Sequence, residues 1–212
     1  MDMEIFHPLL EFFTNLGESS LLFAVAATVA VYLVWKGMWR AGLIFMVAFL
    51  LVASGIGLLK MIFIGCEAHW FPVGVRSPSG HAAMAAVVLG TVAAMTMNGK
   101  SGWRRYVPLF LALLLVLAIA ATRVILGVHS ITEVAIGLFV GGLVAAIATF
   151  FLRREKAARL EGRALAIALI IVGGLFYGTH IPIENFIRNW AESLQNDTNF
   201  CRFFGQEIQA SQ

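Results

Sequence analysis

Two short polar stretches interrupt an otherwise apolar chain, and both hold residues suited to phosphate chemistry. The first, RSPSGH, covers residues 76–81, and the second, ATRVILGVHSITEV, covers residues 121–134. Imidazole has a near-neutral pKa and can serve as a nucleophile or as a proton donor. Guanidinium groups bind phosphate oxygens through two parallel hydrogen bonds. Histidine and arginine together therefore indicate chemistry on an anion.

The spacing within the second stretch favours different roles for the two histidines. His129 and Glu133 are four residues apart, so on a helix they share one face and the carboxylate can hold one ring nitrogen. The other nitrogen is then left to attack phosphorus. His81 has no carboxylate nearby in sequence, which favours it as the proton donor. A different interpretation of Glu133 is a capping box with Ser130 that starts the next helix, and the two roles are compatible.

The composition indicates which elements must position these residues. Of the 212 residues, 13% are charged and 60% are hydrophobic, whereas about 25% of a soluble domain is charged. A net charge of +3, with the basic residues lying between apolar segments, argues against nucleic acid as a partner. We therefore expect a single all-α domain, residues 1–212, that spans a lipid bilayer as a polytopic membrane protein.

Six segments are apolar over nearly the ~20 residues that a helix needs to cross a membrane. They cover residues 20–35, 41–64, 79–97, 107–126, 131–152 and 164–181, and the last is the weakest. Glycine pairs at 141–142 and 173–174 suit close contact between such helices. The sequence thus predicts a bundle of six transmembrane helices.

Both ends of the chain are predicted to lie on the membrane surface. Residues 1–18 are acidic and lack the basic region of a signal peptide, so we predict an interfacial helix there. An apolar stripe that includes Trp190 predicts a second interfacial helix within an external tail, residues 183–212.

The distribution of lysine and arginine predicts the orientation in the membrane. Ten of the 15 basic residues fall in the loops after the first, third and fifth segments, which places those loops in the cytoplasm. Both termini and both polar stretches then lie outside, which in a bacterial inner membrane is the periplasmic face. Cys66 and Cys201 share that face, where oxidation is favoured, and a disulfide between them is a hypothesis.

Several cationic groups converge on the external end of this bundle. Ionisable residues at membrane depth are costly, so their default interpretation is functional, although each one alone could extend its charged end to the interface. A helix is also predicted to begin just after Pro78, where free backbone N–H groups favour an anion. The predicted phosphate-binding residues are Ser79, Gly80, Lys60, Arg76 and Arg123.

These residues resemble a known family. PSGH at 78–81, followed by TRVILGVHSITE at 122–133, is similar to the second and third signature motifs of the type 2 phosphatidic acid phosphatase (PAP2) superfamily, P-S-G-H and S-R-x5-H-x3-D. The resemblance covers roughly residues 55–145. It implies that His129 forms a phosphohistidine, that His81 is the general acid and that Glu133 orients His129. It also implies phosphate binding by Arg123, Ser79 and Gly80, with no metal and no other cofactor.

The chain departs from the family pattern at three places. The first family motif is K-x6-R-P, but the positions that would hold arginine and proline after Lys60 hold glutamate and alanine. Arg76 is the candidate to supply the missing charge. Thr122 replaces serine and keeps a hydroxyl, while Glu133 replaces aspartate and lengthens the orienting side chain by one methylene.

The resemblance implies an integral membrane lipid phosphatase that cleaves a phosphomonoester or a pyrophosphate. Candidate substrates are undecaprenyl pyrophosphate, phosphatidic acid, phosphatidylglycerol phosphate and the phosphates of lipid A, with the polyprenyl lipid placed first. A phosphotransferase of the same family is an alternative, and so is an anion transporter, which would also place cations inside a bundle. A catalytically inactive binding protein is a further alternative, because the first-motif arginine is missing. The oligomeric state stays open.

Overall fold

The computed structural model describes residues 3–65, 77–97, 101–155, 162–179, 187, 189 and 190. Within these ranges every regular element is helical, which confirms the all-α prediction. The helices are α1 (Met3–Leu16), α2 (Ser19–Trp35), α3 (Trp39–Gly65), α4 (Gly80–Met97), α5 (Val107–Ile125), α6 (Ile131–Leu152) and α7 (Gly162–Phe176), and a 3₁₀ turn (Trp103–Tyr106) precedes α5.

Several helices are long and apolar enough to cross a bilayer. Among the described residues four meet this condition, Trp39–Phe63, Gly80–Met97, Trp103–Ile125 and Ile131–Leu152, and a fifth arises if α1 and α2, which meet at a bend of 44°, form one span. The prediction of six spans is not confirmed. The difference lies at the first and last predicted segments, since α2 has 17 residues on its own and α7 has 15.

Helix α4 lies at the centre of the bundle. It packs against α6 and α5 most extensively, and also against α3 and α2. Its sequence, GHAAMAAVVLGTVAAMTM, is rich in alanine and glycine, and most of its residues are buried. Small side chains let neighbouring helix backbones approach closely, which is how membrane helices gain packing energy.

The contact between α4 and α6 depends on two glycines spaced one turn apart. A Cβ on Gly137 would lie 2.5 Å from the carbonyl oxygen of Ser79, and one on Gly141 would overlap the carbonyl oxygen of Ala83. Gly141 thus makes the close helix contact expected of it. Among the described residues, no atom lies within 4 Å of a Cβ built on Gly142, Gly173 or Gly174, so the prediction of close contact is wrong at these three positions.

The first and last described helices of the chain pack against different helices of the bundle. Amphipathic α1 lies against α5, and α7 lies against α2. The Ser20 hydroxyl donates to the carbonyl oxygen of Thr179, and the Thr179 hydroxyl lies 3.3 Å from the Ser20 Oγ, so the end of α7 is fastened to the start of α2. An interfacial position for α1 stays a prediction, and most of the predicted external tail lies outside the described residues.

Candidate active site

Glu133 is a buried carboxylate at the start of α6 that organises the surrounding chain. Its Oε2 accepts hydrogen bonds from His129 Nδ1 at 2.9 Å and from the backbone N–H of Ser130 at 3.0 Å. Its Oε1 accepts from the backbone N–H of Ser77 at 3.1 Å. The Ser130 hydroxyl oxygen in turn accepts from the Glu133 backbone N–H, which completes a capping box. The capping role and the histidine contact therefore coexist in one side chain.

The Glu133 contact fixes the tautomer of the neutral His129 ring. An ionised carboxylate can only accept, so Nδ1 carries the hydrogen and Nε2 keeps its lone pair. The His129 side chain is 8% exposed. Burial lowers the pKa of His129 below its ordinary value of 6.5, the hydrogen bond to Glu133 opposes that shift, and the charge of Lys60 adds to it. The ring is therefore mostly neutral at pH 7, as a nucleophile requires.

A tight turn between α5 and α6 sets the distance from Arg123 to His129. Gly127 in this turn has a φ of +68°, a left-handed conformation that glycine adopts without strain. The backbone N–H groups of Val128 and His129 both donate to the carbonyl oxygen of Arg123 at 3.1 Å. The spacing of arginine and histidine in the sequence thus corresponds to one defined backbone turn.

The PSGH segment is attached to α6 through backbone hydrogen bonds. The Ser79 N–H donates to the carbonyl oxygen of Glu133 at 3.0 Å, and α4 begins at the next residue, Gly80. Ser79 is fully buried, and its hydroxyl has no hydrogen-bond partner among the described residues. Since the first N–H groups of a helix have no partner within it, the donors available to an anion here are those from Gly80 onward and the Ser79 hydroxyl.

A cavity of about 700 Å³ brings His81 together with two cations. Its lining includes the buried side chains of Lys60 and Arg123, which come from the ends of α3 and α5. Of the predicted site residues that the structure describes, Ser79, His129 and Glu133 do not line it, although His129 experiences the charges of both cations. The rest of the wall is largely apolar, with Phe23, Leu50, Ala53, Ile56 and Met84 among its residues.

Two residues of the N-terminal segment reach this site, and both were missed by the sequence analysis. Arg123 Nη1 donates to Thr14 Oγ1 at 3.0 Å, and Glu18 Oε1 lies 3.6 Å from His81 Nε2. These partners are far apart in the chain, so no motif spacing connects them. The signal available in the sequence is the acidic character of residues 1–18, which by itself predicts only a surface helix.

Of the other predicted features, Thr122 has a local structural contact and the rest lie outside the described residues. The Thr122 hydroxyl donates to the carbonyl oxygen of Ile119 at 2.7 Å, so it is used within its own helix. Arg76, Cys66 and Cys201 are outside the described residues. The role of Arg76 as a substitute for the missing arginine therefore stays a prediction, as does the disulfide.

A second cleft lies among α4, α5 and α6, toward their opposite ends. It has a volume of about 630 Å³, and its described lining is apolar apart from Thr149 and Arg153. A single charged group without a titratable partner provides no means of acid and base catalysis. The cavity beside His81 is therefore the candidate active site.

A family model matches the part of the chain that holds both polar stretches. The model of the PAP2 superfamily matches residues 62–157, which include the PSGH segment, Arg123, His129 and Glu133. Over these residues the chain is similar to the PAP2 superfamily. The resemblance seen in the motifs is thereby confirmed, and the family suggests phosphatase activity in a helical, membrane-embedded protein. No curated protein and no solved structure matches the chain at a significant level.

Proposed function

We propose that this PAP2 protein is a membrane lipid phosphatase that hydrolyses a phosphomonoester or pyrophosphate through a phosphohistidine on His129. The observation that carries the proposal is the His129–Glu133 hydrogen bond of 2.9 Å within the influence of Lys60 and Arg123, two cations that line one cavity with His81. A nucleophile with a fixed lone pair, two cations and a second histidine are the groups that phosphoryl transfer without a metal needs.

In the first proposed step, His129 Nε2 attacks phosphorus, and a P–N bond forms as the P–O bond to the leaving group breaks. The Glu133 carboxylate on Nδ1 stabilises the positive charge that develops on the ring. His81 gives a proton to the leaving oxygen, so the lipid departs as a neutral alcohol or a protonated phosphate.

The negative charge of the transferring group is met by fixed positive charges. Lys60 and Arg123 are buried, so their charges act through a medium of low dielectric constant and are stronger than in water. The N–H groups at the start of α4, from Gly80 onward, add the positive end of the helix dipole. Ser79 contributes a hydroxyl that has no hydrogen-bond partner among the described residues.

In the second proposed step, water attacks the phosphohistidine and the P–N bond breaks. The now neutral His81 takes a proton from the water, and His129 is regenerated with its hydrogen on Nδ1. Inorganic phosphate leaves, and His81 is again protonated for the next substrate.

The shape of the cavity supports a lipid as the substrate. Its apolar wall is formed by α2, α3 and α4, and hydrocarbon chains bury favourably against such surfaces. The candidates are undecaprenyl pyrophosphate, phosphatidic acid, phosphatidylglycerol phosphate and lipid A phosphates, with the polyprenyl lipid first. The basic residues at the opposite helix ends, such as Arg104, Arg105 and Arg153, support a site on the outer face, which we assign to the periplasmic side of a bacterial inner membrane.

Phosphate release from these four lipids in detergent tests the proposal. We expect the wild type to release inorganic phosphate from at least one lipid, and His129→Ala to lower that rate by about 10³-fold or more. His7→Ala is the matched control, since His7 lies on α1 with a side chain that is 62% exposed. It should keep the wild-type rate.

The same assay separates the alternative functions. Turnover that requires a second lipid and yields little free phosphate would assign a phosphotransferase instead. No release from any of the four lipids would refute hydrolysis of this panel, and a His129→Ala variant as active as the wild type would refute the phosphohistidine.

A further inference from the structure

The N-terminal segment brings a carboxylate to the second histidine of the candidate site. Glu18 Oε1 lies 3.6 Å from His81 Nε2, and the two side chains are 17% and 12% exposed. Building on the proposed phosphatase, we propose that Glu18 is a positioning residue for His81. Its carboxylate stabilises the protonated imidazole that gives a proton to the leaving oxygen.

Packing around the bend between α1 and α2 holds Glu18 in place. Its backbone N–H donates to the carbonyl oxygen of Asn15 at 3.2 Å, and its carbonyl oxygen accepts from Leu22 at 3.0 Å. The preceding residue, Gly17, lies so near α5 that a Cβ there would be 2.5 Å from the side chain of Ile119. The bend therefore packs directly against α5, and this packing places the Glu18 side chain in the wall of the cavity.

A second contact shows that this segment belongs to the site. Thr14, one helical turn before Glu18, accepts a hydrogen bond of 3.0 Å from Arg123. Two neighbouring turns of the N-terminal segment thus contact two different residues of the PAP2 motifs. A helix that only covered the surface would not be expected to reach both.

The charges around His81 give the carboxylate a function. Lys60 from α3 and Arg123 from α5 both act on His81 and line the same cavity. Two cations suit a phosphate, but they repel the proton that His81 must hold before the reaction. Among the described residues, Glu18 is the anionic group that acts on His81. Its negative charge offsets this repulsion, and it does not compete with Glu133 for His129.

The distance is compatible with proton donation. A separation of 3.6 Å exceeds the usual 2.7–3.2 Å of an N–H···O hydrogen bond. The hydrogen on Nε2 is therefore available to an oxygen that enters the cavity. In the first step the N–H bond breaks as an O–H bond forms on the leaving group, and in the second step the nitrogen takes a proton from water. Glu18 takes no part in either proton transfer.

The experiment compares wild type and Glu18→Gln on two substrates that differ in their need for a proton. One is phosphatidic acid, or whichever lipid of the panel the wild type hydrolyses fastest, and the other is p-nitrophenyl phosphate, whose leaving group departs as a stable phenolate. We expect the variant to lose about tenfold or more on the lipid and less than about twofold on p-nitrophenyl phosphate. The alkaline limb of the lipid pH–rate profile should move about 1 pH unit lower.

Two further variants control for charge and fold. Glu11→Gln removes a charge from α1, seven residues before Glu18, at a side chain that is 61% exposed, and it should change neither substrate's rate. Glu18→Asp keeps the charge and should leave the alkaline limb in place. If Glu18→Gln does not fold, Glu18→Asp still decides the matter, because a limb that moves by about 1 pH unit despite the retained charge would overturn the role of that charge.

The outcomes separate this inference from the proposed function. Equal losses on both substrates would show that Glu18 acts through the fold alone, and an unchanged rate and pH profile would show that it does not act; either result overturns the inference while the phosphatase stands. A wild type that releases phosphate from neither substrate would overturn both.

Discussion

Replacing Glu133 by glutamine tests the contact on which the proposed nucleophile depends. The carboxylate uses both oxygens as acceptors, Oε1 for the Ser77 N–H and Oε2 for the Ser130 N–H and His129 Nδ1. Glutamine has one acceptor oxygen and one NH₂ group. Whichever way the amide turns, its NH₂ group meets at least one donor.

The two orientations of the amide have different costs. With its oxygen toward His129, the tautomer is kept but the buried Ser77 N–H loses its acceptor, which costs about 1–3 kcal/mol of stability. With its NH₂ group toward His129, Nδ1 must accept, the ring hydrogen moves to Nε2, and the attacking lone pair is lost. A carboxylate-to-amide change in a comparable catalytic triad lowers kcat by about 10⁴. We therefore expect Glu133→Gln to lower kcat by about 10²–10⁴.

Single-turnover phosphate release from a lipid substrate, with thermal unfolding in detergent, measures both effects. Glu133→Asp keeps the charge and both oxygens, so it should stay active and lose mainly the hydrogen bond to Ser77. Glu155→Gln, just beyond the other end of α6, is the control and should behave as wild type. A glutamine variant with wild-type kcat would refute the orienting role. An aspartate variant as inactive as glutamine would refute the importance of the charge.

Three further predictions follow from the geometry. Burial lowers the pKa of His129, so kcat/KM should stay constant as the pH falls to about 6.5 and decline only below that value, where protonation blocks Nε2. A pH–rate profile with its acidic limb above pH ~6.5 would contradict this prediction. Gly137→Ala should reduce stability by about 1–3 kcal/mol in thermal unfolding because α4 and α6 must separate. Gly142→Ala should not, since no atom of the described residues lies within 4 Å of its Cβ, and equal effects would refute the close-contact argument. Thr122→Val should keep lipid phosphatase activity within about twofold, because this hydroxyl already donates within its helix and loses at most a modest interaction; a loss above tenfold would show that it reaches the phosphate.

Local spacing made part of the site predictable from the sequence. His129 and Glu133 are one helical turn apart, so their contact follows from the period of the helix. The structure also confirms that the carboxylate caps α6, as the pattern from Ser130 to Glu133 predicts. The long apolar segments were predictable for a similar reason, because continuous hydrophobicity over about 20 residues has few other interpretations.

Contacts between distant helices could not be predicted in this way. The contacts of Thr14 with Arg123 and of Glu18 with His81 depend on how α1 and α2 dock onto the bundle, and one sequence carries no record of that docking. The close approach at Gly137 does not follow from adjacent glycine pairs, because helix contact repeats every three or four residues. The count of six spans is not confirmed at the two ends of the bundle, where the described helices are short.

The two histidines differ in how their carboxylates hold them, and this difference supports different roles. Glu133 bonds directly to His129 Nδ1 at 2.9 Å, which fixes the tautomer and leaves Nε2 with a lone pair. Glu18 stands 3.6 Å from His81 Nε2, a distance at which it acts through its charge and leaves the proton transferable. A nucleophile requires the first arrangement and a general acid requires the second. The proposed division of roles between the two histidines thus corresponds to a difference of about 0.7 Å in the distance to a carboxylate.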